Sequence, residues 1–435
     1  MYSKNHRNYY RECRKKYRRV SPLSRVLTIL AIIAVIALAI FVGIKVFGAK
    51  TTATETAQPE TIKNTENNNI STVIAETISF ATAVKGIETQ LLAKGVESAT
   101  TIESEPEEEV LPQIYEGEFE LPLKGATAYV LVNTNLYDEA GNKMAVTAGT
   151  GLRIEREEGE KLVVTTADGF TGMVSSYECM LNLPDIIPSI VYMDTNSVFS
   201  VFQSSGYDIP NVTGEQFYNV EQYNERLGRT EFNMPIIYAT AKKVMAAQQT
   251  ALSEGYSLCI VETYRPMDTQ KKVCSNMKAL ENSNADVRNG IVGHGWSEDW
   301  FIAQSISNHQ RGYAMDLTLV EVKETEICTS GDYAYVNVAD YAEVQMPTQI
   351  HELSDASVAL AYAVTSKSET AWKDVPLADS MNDVAIRLQN YCVGAGFTPL
   401  ASEWWHFNDL DARNSAAGSL SNGDYFLQSN LSIVP

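Results

Sequence analysis

The sequence is short of histidine, of cysteine pairs and of positive charge, and each shortage excludes something. Only five histidines occur in 435 residues, so a histidine that falls in a recognisable pattern carries individual weight. Six cysteines are present without C-x-x-C spacing, which argues against a cysteine-built metal site or a disulfide framework. Cys259, between Leu258 and Ile260, and Cys392, inside a helix-like run, read as small buried hydrophobes. Lys and Arg number 34 against 54 Asp and Glu, a net charge of -20. Such a surplus opposes a phosphate backbone and excludes nucleic acid as a partner. With 45% hydrophobic and 20% charged residues, the chain as a whole is neither disordered nor fibrous. Its length exceeds what one hydrophobic core usually serves, so two folded units with connecting segments are expected.

What positive charge there is gathers at the start. Residues 1–25 are a basic tail containing Lys15, Lys16, Arg18 and Arg19, and the unbroken apolar run from Val26 to Ile44 follows. At about 1.5 Å per residue this run, as a helix, matches the hydrocarbon core of a bilayer. The positive-inside tendency predicts a transmembrane helix over 26–47, a cytoplasmic N-terminus and an extracellular remainder. The run is longer than a signal-peptide core and no A-x-A site follows it, so a retained anchor is expected rather than a cleaved signal. Residues 48–125 turn to Thr, Asn and Glu, with EPEEE at Glu105 to Glu109, and read as a flexible, disordered stalk.

Beyond the stalk, residues 126–183 break into AYVLV, GLRIERE, KLVVTT and TGMVSS, separated by DEAGN, EEGE and ADG turns. These are strand and hairpin signals. The order resembles the small all-β SH3-like barrels of bacterial cell-wall proteins, which implies either a wall-binding module or a spacer packed on the next domain. A Pro-punctuated connector, 184–210, leads to 211–435, where helices and strands mix in the manner of an α+β domain. Helices are expected at 239–253, stopped by Gly255, and at 382–393, with Ser380 and Asp383 arranged like a capping box. Strands are expected at YSLCIVETY and GFTPLASEWWHFN.

Two segments of this last unit carry chemistry. In SNHQRGYAMDLTLV, Ser307 to Val320, His309 precedes Asp316 within an apolar strand. A carboxylate between Met315 and Leu317 is costly to bury unless a cation or strong donors satisfy it. The second segment is EWWH, Glu403 to His406. Two histidines and a carboxylate with one open position is how catalytic zinc sites are built, and His309, Asp316 and His406 supply that set. Glu403 is then free to act as general base on a metal-held water. His294, in the glycine-flanked VGHGW, is an alternative ligand but reads better as part of a mobile loop or lid. Arg265, in YRP at the end of a strand, can aim a guanidinium at a developing oxyanion.

YRP, then S-x-H-x-R-G-x-A-x-D-L-T-L, then SEWWHF, in that order, resemble the zinc D-alanyl-D-alanine dipeptidases of the vancomycin-resistance type and their DD-carboxypeptidase relatives, over about Pro210 to Asp409. The resemblance implies one zinc ion on His309, Asp316 and His406, Glu403 as catalytic base, Arg265 as transition-state stabiliser, and Ser307 as a substrate-binding residue. One departure stands out. Where dipeptidases of this group carry M-G-T-x-F-D, whose aspartate pairs with the dipeptide's ammonium, this chain reads MPTQIH, so His351 takes the substrate-binding place of that aspartate unless Glu352 or Asp355 substitutes.

The expected protein is therefore a membrane-anchored, extracellular α+β zinc metallopeptidase that hydrolyses D-Ala-D-Ala, as free dipeptide or at the end of a peptidoglycan stem peptide. A dipeptidase-like activity is favoured. The alternatives are a DD-carboxypeptidase that trims stem peptides and a non-catalytic wall-binding protein, against which the intact Glu403 argues.

Overall fold

The computed structural model describes residues 123–416, apart from 219–221, 225 and 331–332, together with the backbone of 113–114. These residues belong to one compact unit. The expected basic tail, the transmembrane helix 26–47 and nearly all of the stalk lie outside the described residues. Among the described residues no helix is long and apolar enough to cross a membrane.

The β-rich segment forms seven strands between Thr127 and Asn182, joined in one antiparallel sheet of eight. Alternation does the work: in Gly151–Glu158, Leu152 and Ile154 are buried while Gly151 and Arg153 are exposed. The eighth strand comes from beyond the expected boundary. Pro235–Ile237 pairs with Cys179–Asn182, placing Ile236 opposite Leu181.

Residues 184–210 are more than a connector as well. Ile186, Ile187, Ile190 and Phe202 are buried, and the strand Val191–Tyr192 lies parallel to Cys259 and Ile260 in a second sheet. One apolar cluster consequently runs from Leu136 and Leu152 through Ile236 to Val244, Met315 and Phe407.

A buried polar cluster binds the same region. The Asn182 amide donates to Glu231 Oε1 at 2.9 Å, and Asn224 donates to both Asp185 (2.7 Å) and Glu231 (2.8 Å). Arg226 clasps Asp185 at 2.7 Å. Burial, with the Asp185 charge adding to it, pushes the Glu231 carboxyl up to about 8.

The second sheet carries the chemistry. Its surroundings begin with helix α1 (Tyr238–Ser253), whose buried Ala241, Val244, Gln248 and Ala251 follow helical spacing. Gly255, at φ 82, ends it. Strand β1 (Tyr256–Glu262) follows, and Pro266 caps helix α2 (Met267–Ser283). The four-residue helix α3 (Asn308–Arg311) leads through Gly312 into strand β2 (Ala314–Ser330), which forms a long antiparallel hairpin with β3 (Tyr333–Glu343). The apolar reading stops at Val320. The strand continues because backbone pairing with β3 does not need an apolar side chain, and Glu321 to Ile327 are mostly exposed.

Helix α4 (Asp383–Gly394) is capped by Asn382, whose side chain accepts from Ala385 N at 2.9 Å. The expected Ser380 cap is not formed, since that hydroxyl donates to Val358 O at 3.1 Å. Strands β4 (Thr398–Leu400) and β5 (Glu403–Asn408) pair antiparallel, and helix α5 (Leu410–Ser415) follows.

Because both sheets share one core and the first takes a strand from the second half, residues 123–416 should unfold in a single cooperative transition, and a fragment starting at 184 should lose it. Two resolved calorimetric transitions would show an independent barrel. Glu231 adds a pH test. A carboxyl whose pKa is higher folded than unfolded binds a proton on folding, so its contribution to stability declines as pH rises from about 4.3 toward 8. Chemical denaturation across that window should show the decline, and Glu231→Gln should flatten it.

Candidate active site and metal centre

Strand register assembles the site. Asp316 on β2 lies opposite Glu262 on β1 on one side and opposite His406 on β5 on the other, so three polar side chains from three strands are direct neighbours. His309 comes from α3. Ser307 caps that helix by accepting from His309 N, while the Gln310 side chain returns to Ser307 N at 2.7 Å. Gly312 closes it at φ 75. A Cβ there would sit 2.5 Å from Met180 Cε of the first sheet and 3.1 Å from Ile237, so both backbone conformation and space demand glycine.

His309 Nε2, His406 Nδ1 and Asp316 Oδ1 converge. The two nitrogens are 3.1 Å apart, with Asp316 Oδ1 2.9 Å from His406 Nδ1 and 3.4 Å from His309 Nε2. The outer nitrogens are committed elsewhere: His309 Nδ1 donates to Thr263 O at 2.6 Å, and His406 Nε2 donates to Asn408 Oδ1 at 3.1 Å. Asn308 also donates to that oxygen at 2.7 Å, which identifies it as an acceptor. Each imidazole in its neutral form therefore turns a bare lone pair toward the other and toward a carboxylate. Three lone pairs aimed at one point repel unless a cation lies between them, so this donor set fits a divalent metal with nitrogen and oxygen ligands. The same three residues are a group that could hold a metal ion.

Ionisation follows from the packing. Burial lowers the proton affinity of His309. Burial acts the same way on His406, but the hydrogen bond to Asp316, the charges of Asp316 and Glu403 and the bond to Asn408 together outweigh it and raise the net value. For Asp316 burial opposes ionisation, yet once protons rather than an ion occupy the inner nitrogens, the charge of His309 and the hydrogen bonds from His309, His351 and His406 hold the carboxyl well below the usual range.

The other oxygen of Asp316 faces a different set. Arg265 Nη2 donates to Asp316 Oδ2 at 3.0 Å, and Arg265 Nε donates to Glu262 Oε2 at 2.8 Å. Nη1 donates to Gln270 at 2.8 Å. Glu262, Asp316 and His351 form a second group with metal-like spacing, but the Arg265 guanidinium already bridges both carboxylates. Arg265 lines the cavity beside His309, Glu403 and His406. A guanidinium has more N–H donors than these contacts use, so it can still reach a ligand.

His351 is placed otherwise than expected. It is fully buried, stacked on Phe202 with ring centroids 4.2 Å apart, and its Nε2 donates to Asp316 Oδ2 at 3.1 Å. It does not line the cavity, because its backbone, at φ 64, turns the ring behind the Asp316 carboxylate. The structure thus places His351, expected to bind substrate, behind Asp316 and away from the cavity lining. Neither substitute takes up that role: Glu352 accepts from Gly206 N at 3.0 Å and Ser354 Oγ at 2.7 Å, and Asp355 is bonded to His294. His294 is exposed on its loop and stands apart from the metal-like group.

Glu403 lines the cavity with Oε2 3.6 Å from His406 Nδ1. Burial pushes its carboxyl up to about 8, with the His406 charge opposing and Asp316 adding to the rise. Ser307 also lines the cavity, though its hydroxyl donates to Gln310 Oε1 at 2.7 Å. Sequence reasoning overlooked Glu262, Gln310 and Asn408. Glu262 carried the same signal as Asp316, an acid inside an apolar strand, and Asn408 lies two residues past His406, on the same strand face.

Replacing His351 by Ala removes one of the two donors to Asp316 Oδ2. Zinc affinity, measured by competition with a chromophoric chelator, should fall about 10- to 100-fold. His351→Gln, which can present an N–H at similar reach, should recover part of it. Unaltered affinity in the Ala variant would leave Arg265 as the sole orienting partner.

The family model of D-Ala-D-Ala dipeptidases matches residues 211–420. Among curated proteins no relative matches the chain. The matched segment contains β1, β2, β5 and α3, hence Arg265, His309, Asp316, Glu403 and His406, and over these residues the chain is similar to the D-Ala-D-Ala dipeptidase family of metallopeptidases.

Proposed function

We propose that the protein is a zinc-dependent DD-carboxypeptidase: it removes the terminal D-alanine from a peptide ending in D-Ala-D-Ala whose amino end is acylated. The observation that carries this choice over the dipeptidase is the burial of His351 behind Asp316, with Glu352 and Asp355 already bonded. The segment that in dipeptidases supplies an acid for the substrate's free ammonium contributes none to this cavity. An acylated peptide needs no such partner.

His309, Asp316 and His406 would hold the zinc ion. When bound, zinc supplies a Lewis acid that lowers the pKa of a coordinated water and polarises the scissile carbonyl. Glu403 takes the proton released as the water oxygen bonds to the carbonyl carbon, and passes it to the leaving nitrogen as the C–N bond breaks. Arg265, held by Glu262 and Asp316, offers an N–H to the oxygen on which negative charge develops. Thr263 and Asn408 keep the imidazoles in the tautomers that leave their lone pairs free.

The same reading puts the cavity outside the cell, where the apolar run from Val26 to Ile44 anchors the chain and the wall presents acylated stem peptides. The SH3-like strands act as a packed support rather than a separate wall-binding module, a role in keeping with the strand they share with residues 235–237.

Glu403→Gln keeps the shape and removes the proton acceptor. Release of D-alanine from N-acetyl-D-Ala-D-Ala should fall about 10²- to 10⁴-fold with zinc content retained. A fully active variant would refute the assigned role. The unmodified protein should cleave the acetylated substrate faster than free D-Ala-D-Ala; the opposite preference would restore the dipeptidase.

A further inference from the structure

Three basic side chains on the cavity wall stand without an acid. Arg311 ends α3, two residues beyond His309; Arg413 lies in α5, directly after the strand that carries His406; Lys367 sits at the rim in the loop between β3 and α4. Among the described residues none of the three forms an ion pair, and the polar contact of the Arg413 guanidinium is a marginal 3.5 Å approach to Asn414. The Nε atoms of Arg311 and Arg413 are both shut off from solvent and lack a hydrogen-bond partner among the described residues.

Arg265 on the same wall is, by contrast, neutralised by Glu262 and Asp316. The acids on the wall do not compensate: Asp299 is exposed and unpaired with the three cations, and Glu403 faces His406.

The Nε atoms of Arg311 and Arg413 are as closed to a ligand as to water, but the outer guanidinium nitrogens and the Lys367 ammonium, engaged by no carboxylate among the described residues, can donate to an arriving one, and charge-assisted pairs of this kind are the strong ones. The terminal carboxylate of a D-Ala-D-Ala peptide brings one negative charge, fewer than three cations can engage. We propose that Arg311 and Arg413, with Lys367 at the rim, form an anion subsite that takes, besides the terminal carboxylate, the side-chain carboxylate of an acidic residue preceding D-Ala-D-Ala. This rests on the carboxypeptidase reading, since a dipeptide has no such residue.

The test compares N-acetyl-Glu-D-Ala-D-Ala with its neutral isostere N-acetyl-Gln-D-Ala-D-Ala. The unmodified protein should favour the Glu peptide about tenfold in kcat/KM, the worth of one charge-assisted contact, and the preference should shrink with added salt. Arg413→Gln and Arg311→Gln should each bring the ratio toward unity, whereas Arg413→Lys should keep part of it. A ratio near unity in the unmodified protein, or one that survives in both Gln variants, overturns the subsite. Calorimetric binding of the same two peptides to the Glu403→Gln protein separates this from the reading beneath it. If the unmodified protein cleaves neither peptide, yet the Glu peptide binds the Glu403→Gln protein more tightly and adding Arg413→Gln abolishes the difference, the subsite stands and the hydrolytic reading falls.

Discussion

The buried carboxylate of Asp316 is the constraint on which the site depends. An ion in an apolar strand costs on the order of several kcal/mol unless its partners are well placed, and each of its oxygens has its own set. Oδ1 faces the lone pairs of His309 and His406; Oδ2 is held by Arg265 and His351. Glu262 adds a second acid against the same guanidinium. Two carboxylates against one arginine leave a net negative charge in the interior, which neutral imidazoles do not cancel. A divalent cation at the histidine side does, so the electrostatic debt of the folded chain is itself an argument for metal binding.

The first sheet contributes to the site without lending it a ligand. Its Met180 leaves no room for a Cβ at Gly312, and Ile237 N donates to Gly312 O at 3.0 Å. Tyr313 donates to Tyr177 O at 3.3 Å. These contacts grip the turn between α3 and β2, and thereby fix where His309 stands relative to Asp316. A barrel-like region that looks like a separate module in one dimension is thus a wall against which the shortest functional helix is set.

Paired and unpaired charges are segregated at the cavity. Behind the metal-like triad, acids and Arg265 are paired and dry. On the open wall, Arg311, Arg413 and Lys367 form no ion pair among the described residues, and Asp299 is exposed. The division follows from burial: inside, a charge persists only with a partner, whereas a half-exposed guanidinium can wait for one that arrives with the ligand.

His309, Asp316, Glu403 and His406 were legible in the sequence because polar residues in apolar runs have few explanations, and because so few histidines competed for the role. Helix α1 and strand β1 were legible from periodicity and a glycine stop. The second half of β2 was not, since its pairing with β3 is made by backbone groups that leave no mark on side-chain pattern. The place of His351 was equally hidden: its neighbours in sequence suit a cavity loop, and only a left-handed backbone angle and the face of Phe202 turn it behind the carboxylate. Sequence alone determined which residue types could ligate a metal and move a proton, because that is local chemistry. Tertiary structure decided which oxygen of Asp316 faces which partner and which cations remain unpaired, because both depend on strand register and on contacts between segments far apart in the chain.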